Sequence, residues 1–78
     1  MLQSALEHLV KGIVDHPDDV RVVAASSGRG EVLEVHVNPE DLGRVIGRAG
    51  RTAKALRTLV TALADGRRVR VDVVDTDD

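Results

Sequence analysis

The chain has 78 residues, no aromatic residue and no cysteine, and its formal net charge is −2. A chain of this length is expected to form one domain, near the lower size limit for an independent hydrophobic core. The missing cysteines exclude disulfide scaffolds, thiolate metal sites and thiol catalysis, and the missing aromatic residues exclude proteins that bind nucleic acid by stacking bases on Phe, Tyr or Trp.

The first predicted element is a helix over residues 3–15. Its apolar residues recur at helical spacing, which gives one apolar stripe. The residue before a proline is disfavoured in a helix, so the helix is expected to end just before Pro17. The stripe consists of Leu2, Leu6, Leu9, Val10, Ile13 and Val14.

Two strands are predicted next, over residues 20–25 and 31–37. The first is rich in β-branched residues, and the second alternates between apolar and polar residues. Residues 26–30 between them, two serines and two glycines with Arg29, are typical of a turn. This pattern predicts an antiparallel hairpin. Val20, Val22 and Ala24 of the first strand, and Leu33, Val35 and Val37 of the second, are expected to face the core.

A short helix, a long helix and a third strand complete the chain. Asn38 and Pro39 are typical of a helix start, and Gly47 is expected to interrupt the short helix. The long helix is predicted over residues 51–64 and is closed by Asp65 and Gly66. Its apolar face consists of Ala53, Leu56, Leu59, Val60 and Leu63. Residues 68–73 alternate as in a strand, and the acidic residues 75–78 are expected to be a frayed tail.

The order α-β-β-α-α-β predicts an α+β fold, with a three-stranded mixed sheet and three helices packed on one face. The connection between the second and third strands runs through helices, which normally makes such strands parallel. The other face of the sheet is expected to meet water or a partner. It carries Arg21, Glu34, His36, Arg68 and Arg70.

The charge is unevenly distributed. Residues 42–70 contain eight basic residues and only Asp65 as an acid, a net charge of +7, and the rest of the chain has a net charge of −9. An acidic molecule with one basic surface is compatible with a nucleic-acid partner. Arg67, Arg68 and Arg70 lie on the third strand, where they either join such a surface or protect the strand edge from pairing.

The stretch Val-Ile-Gly-Arg-Ala-Gly-Arg-Thr at residues 45–52 is the motif with the most chemical content. Its two glycines permit a sharp turn and leave room for a ligand backbone. The turn lies at the start of the long helix, where free amides attract phosphate. Arg48 lies inside the turn, and Arg44, Arg51 and Lys54 flank it. The alternatives are a plain helix connection and a solvated charged helix face.

This loop and the element order resemble type II KH domains, and the whole chain is similar to the small bacterial single-KH RNA-binding proteins of the KhpA (YlqC) type. The resemblance implies a groove for about four nucleotides of single-stranded RNA. It implies that Gly47, Arg48, Ala49 and Gly50 clamp the RNA backbone and that Ile46 lies on the groove floor. Ala53 stands where KH signatures usually have a bulky aliphatic residue, which predicts a shallower floor or a closer helix.

The resemblance also implies a role as a post-transcriptional regulator or RNA chaperone. The partners it implies are single-stranded RNA and either a second copy, as a homodimer, or a KH-containing protein of the Jag (KhpB) type. The alternative is a KH-fold protein–protein interaction module whose RNA binding is weak or lost.

The remaining expectations concern chemistry and location. The sequence contains no catalytic constellation, and its three histidines have no metal-ligand spacing, so we expect no enzyme activity, metal or cofactor. Uncharged runs such as residues 58–64 are far shorter than the roughly 18 residues that cross a membrane, and the first residues lack a signal-peptide pattern. A cytoplasmic protein without membrane contact is therefore expected.

Overall fold

The computed structural model describes residues 2–28 and 30–74. Arg29 of the predicted turn and the predicted acidic tail at 75–78 lie outside the described residues. The helices are α1 (Leu2–Lys11), α2 (Leu42–Ile46) and α3 (Arg51–Ala64), and the strands are β1 (Arg21–Ser27), β2 (Gly30–His36) and β3 (Val69–Val73). Single 3₁₀ turns lie at Pro17–Asp19, Pro39–Asp41 and Arg48–Gly50.

The sheet has the order β1-β2-β3, so β2 is the central strand. β1 and β2 pair antiparallel, with Val22 opposite Val35, and β2 and β3 pair parallel, with Leu33 opposite Val71. The buried residues of all three helices form one cluster with those of the sheet, so the helices cover the same face. The cluster includes Leu6, Val10, Leu33, Val35, Val45, Leu56, Val60 and Val71. The predicted α+β fold with a mixed sheet is confirmed.

The strands differ slightly from their predicted bounds. β1 and β2 extend further toward the hairpin turn, where Ser27 pairs with Gly30. Val37 lies just beyond β2 but is buried as predicted, whereas Ala24 is exposed, contrary to the alternation.

The first helix is shorter than predicted and ends at Lys11. The Gly12 amide is shared between the carbonyls of His8 and Leu9, at 3.2 Å each, which closes the helix in a turn. The amides of Asp15 and His16 donate to the side chain of Asp41 instead of to helical carbonyls. A contact distant in the sequence therefore ends α1 well before the proline.

The bounds of α3 match the prediction, but its buried face does not. Ala53, Leu56, Val60 and Ala64 are buried, whereas Leu59 and Leu63 are 47% and 56% exposed. The buried residues follow one i, i+3/i+4 stripe, and a three-stranded sheet covers little more than this stripe. At the end of the helix Asp65 and Gly66 both have positive φ, as the predicted closure requires. No helix among the described residues is long and apolar enough to cross a membrane.

Candidate nucleic-acid interface

The turn between α2 and α3 is built from left-handed and glycine-specific backbone. Gly47 has φ 77° and ψ 171°, Ala49 has φ 56°, and Gly50 has φ 75°. The Gly47 amide donates to the Gly43 carbonyl at 2.8 Å and ends α2, and the Gly50 amide donates to the Gly47 carbonyl at 3.1 Å. The two helices are therefore joined by a tight loop, which we call the clamp loop (residues 47–50).

The two glycines of the clamp loop are required for different structural reasons. A Cβ atom on Gly47 would overlap Oγ1 of Thr52 and come within 2.8 Å of both its Cβ and its amide nitrogen. A Cβ atom on Gly50 would meet no described atom within 4 Å. Gly47 is thus required by the packing of the loop on α3, whereas Gly50 needs only its positive φ and leaves open space beside the loop.

Backbone donors are available in the clamp loop. Arg48 and Ala49 open the 3₁₀ turn, and the first amides of a helical turn have no acceptor within it. No side chain among the described residues caps the start of this turn or of α3. The positive end of the α3 dipole lies at the same place, so the loop favours an anionic ligand.

The predicted basic residues are not equally available. Arg48, Arg51 and Lys54 are exposed, and none of them is in an ion pair with another described residue. A guanidinium nitrogen of Arg44 lies 3.3 Å from a carboxylate oxygen of Asp15. Arg44 is therefore partly neutralised, although an exposed pair of this kind is weak enough to exchange for another anion.

A hollow adjoins the clamp loop, between α2 and α3 on one side and the edge strand β3 on the other. Ile46, Gly50, Ala53 and Arg57 line it from the helices. Ile46 is 39% exposed and Ala53 is buried, and both line this hollow. The strand side is formed by Glu34, Asp72, Val73 and Val74. Asp72 and Val73 belong to β3 and Glu34 belongs to β2, so both strands contribute to this side.

Arg57 lines the same hollow from α3. It lies one turn beyond Ala53 on α3, and its Nε donates to the Val71 carbonyl at 3.2 Å. This bond fixes the guanidinium at the edge of β3. Asp72 and Glu34 line the opposite side, so the strand side of the hollow is acidic, in contrast to the basic clamp-loop side.

The segment that leads into α2 is anchored by the predicted cap Asn38 and by Asp41, whose contacts sequence reasoning did not predict. Asn38 accepts from the Glu40 amide at 2.9 Å, as a predicted cap should. The Asp41 side chain, 1% exposed, accepts from the amides of Asp15 and His16 at 3.1 and 2.9 Å and contacts Nδ1 of His16 at 3.0 Å. This cluster ties the segment after α1 to the helix that leads into the clamp loop.

The same cluster shifts two pKa values. The hydrogen bond to Asp41 raises the pKa of His16 above 6.5, although desolvation acts in the opposite direction. Burial alone would raise the pKa of Asp41, but the hydrogen bonds from the Asp15 and His16 amides and the imidazole hold it below its ordinary value of 3.8. The charged pair is thus the favoured form. No local sequence signal marks it, because Asp41 and His16 lie in different elements.

Comparisons with known proteins agree with this architecture. The family model for the KhpA/KhpB KH domain matches residues 3–74. The chain is 89% identical to the "RNA-binding protein KhpA" of Leifsonia xyli subsp. xyli, over 96% of this chain and 99% of that protein. It is 68% identical to the protein of the same name from Streptomyces coelicolor, over 99% and 96%, and 49% identical to that of Halalkalibacterium halodurans, over 95% and 100%. No solved structure gives a significant match. The chain therefore belongs to the KhpA/KhpB family of KH domains.

Proposed function

We propose that this protein binds single-stranded RNA and clamps its backbone at the clamp loop. The observation that carries the proposal is the loop itself, where left-handed backbone, open space at Gly50 and unpaired amides adjoin a hollow. KH domains bind about four nucleotides with such a loop. The relatives that bear the name "RNA-binding protein KhpA" support the same function.

Each proposed contact has a physical reason. The amides of Arg48 and Ala49 donate to phosphate oxygens, and the side chains of Arg48, Arg51 and Lys54 add charge-assisted hydrogen bonds. Arg44 joins them when a phosphate displaces Asp15. Gly47 shapes the loop and Gly50 gives the RNA backbone room to approach. Ile46 then packs against a base in the hollow, so no aromatic platform is needed.

The protein acts, in this proposal, as a binding module and not as an enzyme, in post-transcriptional regulation or as an RNA chaperone in the cytoplasm. A single small module binds weakly and gains avidity when two are joined. We therefore propose a homodimer or a pair with a KhpB-type protein. The exposed Leu59 and Leu63 on α3 offer an apolar surface for a second copy of the chain.

The direct test is the double variant Arg48→Asp/Ala49→Asp. Asp tolerates the left-handed conformation at position 49 better than Ala does, so the fold should be retained while two carboxylates face the phosphates. We expect no binding of labelled single-stranded RNA in a fluorescence-anisotropy titration. For the unmodified protein, three phosphate contacts predict a slope of roughly −2 in log affinity against log salt.

The matched control is Ser4→Asp/Lys11→Asp, which changes the net charge equally on exposed positions of α1. This variant should bind RNA nearly as the unmodified protein does. If the clamp-loop variant bound as tightly as this control, the proposal would be refuted. The rival function, a protein-pairing module without RNA binding, predicts no measurable affinity for either variant or for the unmodified chain.

A further inference from the structure

A second hollow lies at the far end of α3, outside the four-nucleotide site. It is lined by Thr61 of α3, the β2 residues next to the hairpin turn, and three basic residues, which are Arg67, Arg68 and Arg70. The RNA-binding proposal above makes no use of it. Its lining is basic, because three arginines and only one acidic residue, Glu31, contribute to it among the described residues.

The two hollows follow one another along the same boundary between α3 and the edge strand β3. Three residues on successive turns of α3 show this succession. Ala53 and Arg57 line the hollow at the clamp loop, and Thr61, one turn further on, lines the second hollow. Residues 72–74, at the end of β3 and just after it, border the first hollow, and residues 68–70, just before β3 and at its start, border the second. Ala53 and Thr61 are about 12 Å apart along the helix axis. The hydrogen bond from Nε of Arg57 to the Val71 carbonyl lies between the two hollows.

The backbone of Arg68 is held firmly in place beside the second hollow. Its carbonyl accepts from the Glu31 amide at 3.0 Å. A Cβ atom on Gly30 would lie 2.6 Å from this carbonyl oxygen and 2.8 Å from the Arg68 Cβ, so glycine permits the close approach. The side chain of Arg68 is exposed and is in no ion pair with a described residue.

The neighbouring arginines are paired only on the surface. Arg67 lies 3.4 Å from Glu31, and Nε of Arg70 lies 2.9 Å from Asp72. Exposed pairs of this kind contribute little, and a phosphate can replace the carboxylate with a bidentate contact. At least one free and one exchangeable arginine are therefore available at this end of the boundary.

We propose that an RNA strand clamped at the clamp loop continues past Arg57 along β3, and that Arg67 and Arg68 bind its phosphates. The footprint then exceeds four nucleotides. This inference rests on the proposed RNA binding, and its basis is the succession of the two hollows along one boundary and the positive charge of the second. The competing role for these arginines is protection of the strand edge, which predicts no effect on RNA.

The test uses fluorescein-labelled oligouridylates of 5 and 10 nucleotides in anisotropy titrations. We expect Arg67→Ser/Arg68→Ser to weaken binding of the 10-mer roughly tenfold at 0.1 M salt and to reduce the salt slope by about 1.4, which corresponds to two lost phosphate contacts. Binding of the 5-mer should not change. The 10-mer offers more binding registers than the 5-mer, which raises its apparent affinity. This statistical factor is the same for every variant, so it cancels when variants are compared on the same oligonucleotide.

Two further variants control for charge and folding. Lys11→Ser/Arg21→Ser removes two exposed positive charges elsewhere and should bind both oligonucleotides as the unmodified protein does. Arg67→Lys/Arg68→Lys keeps the charge and should keep most of the 10-mer affinity. If the serine variant at 67 and 68 bound the 10-mer with unchanged affinity and slope while the 5-mer still bound, this inference alone would be overturned. Absence of binding to either oligonucleotide would instead overturn the proposed function.

Discussion

Alanine substitutions at three glycines should have effects on stability that differ in sign and size. Gly43 lies within α2, with no positive φ and no atom of the described residues within 4 Å of an added Cβ. Gly50 has equally open surroundings but a φ of 75°. Gly47 combines φ 77° and ψ 171° with the close approach of Thr52. The three positions therefore separate chain entropy, backbone strain and steric overlap.

The magnitudes follow from these surroundings. Gly43→Ala should stabilise the protein by about 0.5–1 kcal/mol, because alanine loses less backbone entropy in a helix. Gly50→Ala should cost about 1–2 kcal/mol for the left-handed conformation. Gly47→Ala should cost about 1–3 kcal/mol for a backbone region that is essentially reserved for glycine and about 1–3 kcal/mol more for overlap with Thr52. A domain of this length has a total stability of only about 4–12 kcal/mol.

The assay is urea unfolding followed by far-UV circular dichroism, since the chain has no aromatic residue to serve as a fluorescent probe. Ala49→Gly is the converse variant. Glycine removes the strain of a left-handed conformation at position 49, but it also increases the conformational entropy of the unfolded chain. The net result should be a rise in the free energy of unfolding of about 0.5–1 kcal/mol. A smaller loss for Gly47→Ala than for Gly50→Ala, or a destabilised Ala49→Gly, would show that the clamp-loop backbone differs from the one described.

Two other predictions concern the Asp41 cluster and α3. Because the pKa of His16 is raised, its pairing with Asp41 stabilises the fold fully below pH 6.5, and this stabilisation is lost as the pH rises through the raised pKa. Because the pKa of Asp41 is lowered, its contribution to stability is present above pH 3.8 and is lost as the pH falls through the lowered pKa. Thermal unfolding across this range should show a stability maximum between those limits, which Asp41→Asn flattens; an unchanged profile would contradict the assignment. On α3, Leu56→Ala should cost about 2–5 kcal/mol of unfolding free energy, whereas Leu63→Lys should change it by less than about 0.5 kcal/mol and shift light scattering from dimer to monomer. Equal losses of stability would show that Leu63 belongs to the core.

Features encoded by neighbouring residues were predictable from the sequence. The bounds of α3 follow from Gly50 before it and from Asp65 and Gly66 after it, because capping depends on backbone conformation within one turn. The antiparallel hairpin and the parallel pairing of β3 follow from connection length and type. The clamp loop itself was recognisable because its glycines and arginines are contiguous.

Features that depend on distant contacts were not predictable in this way. The amides of Asp15 and His16 find their acceptor in Asp41, which ends the predicted continuation of α1. Helical periodicity places Leu63 on the apolar side of α3, but only the width of the sheet decides that it stays exposed. The pairing of Arg44 with Asp15 was hidden for the same reason.

The amino-acid sequence by itself determined the element order, the turn at residues 47–50 and the concentration of positive charge in residues 42–70, since each depends on residues close together in the chain. Only the tertiary structure decided which strands border the hollow and which basic residues lie along it. The reason is that β3 reaches its place beside α3 by pairing with β2, and this pairing brings Arg57, Arg67 and Arg68 to one boundary. The net charge of −2 describes the chain as a whole, whereas the fold determines where a polyanion meets its positive residues.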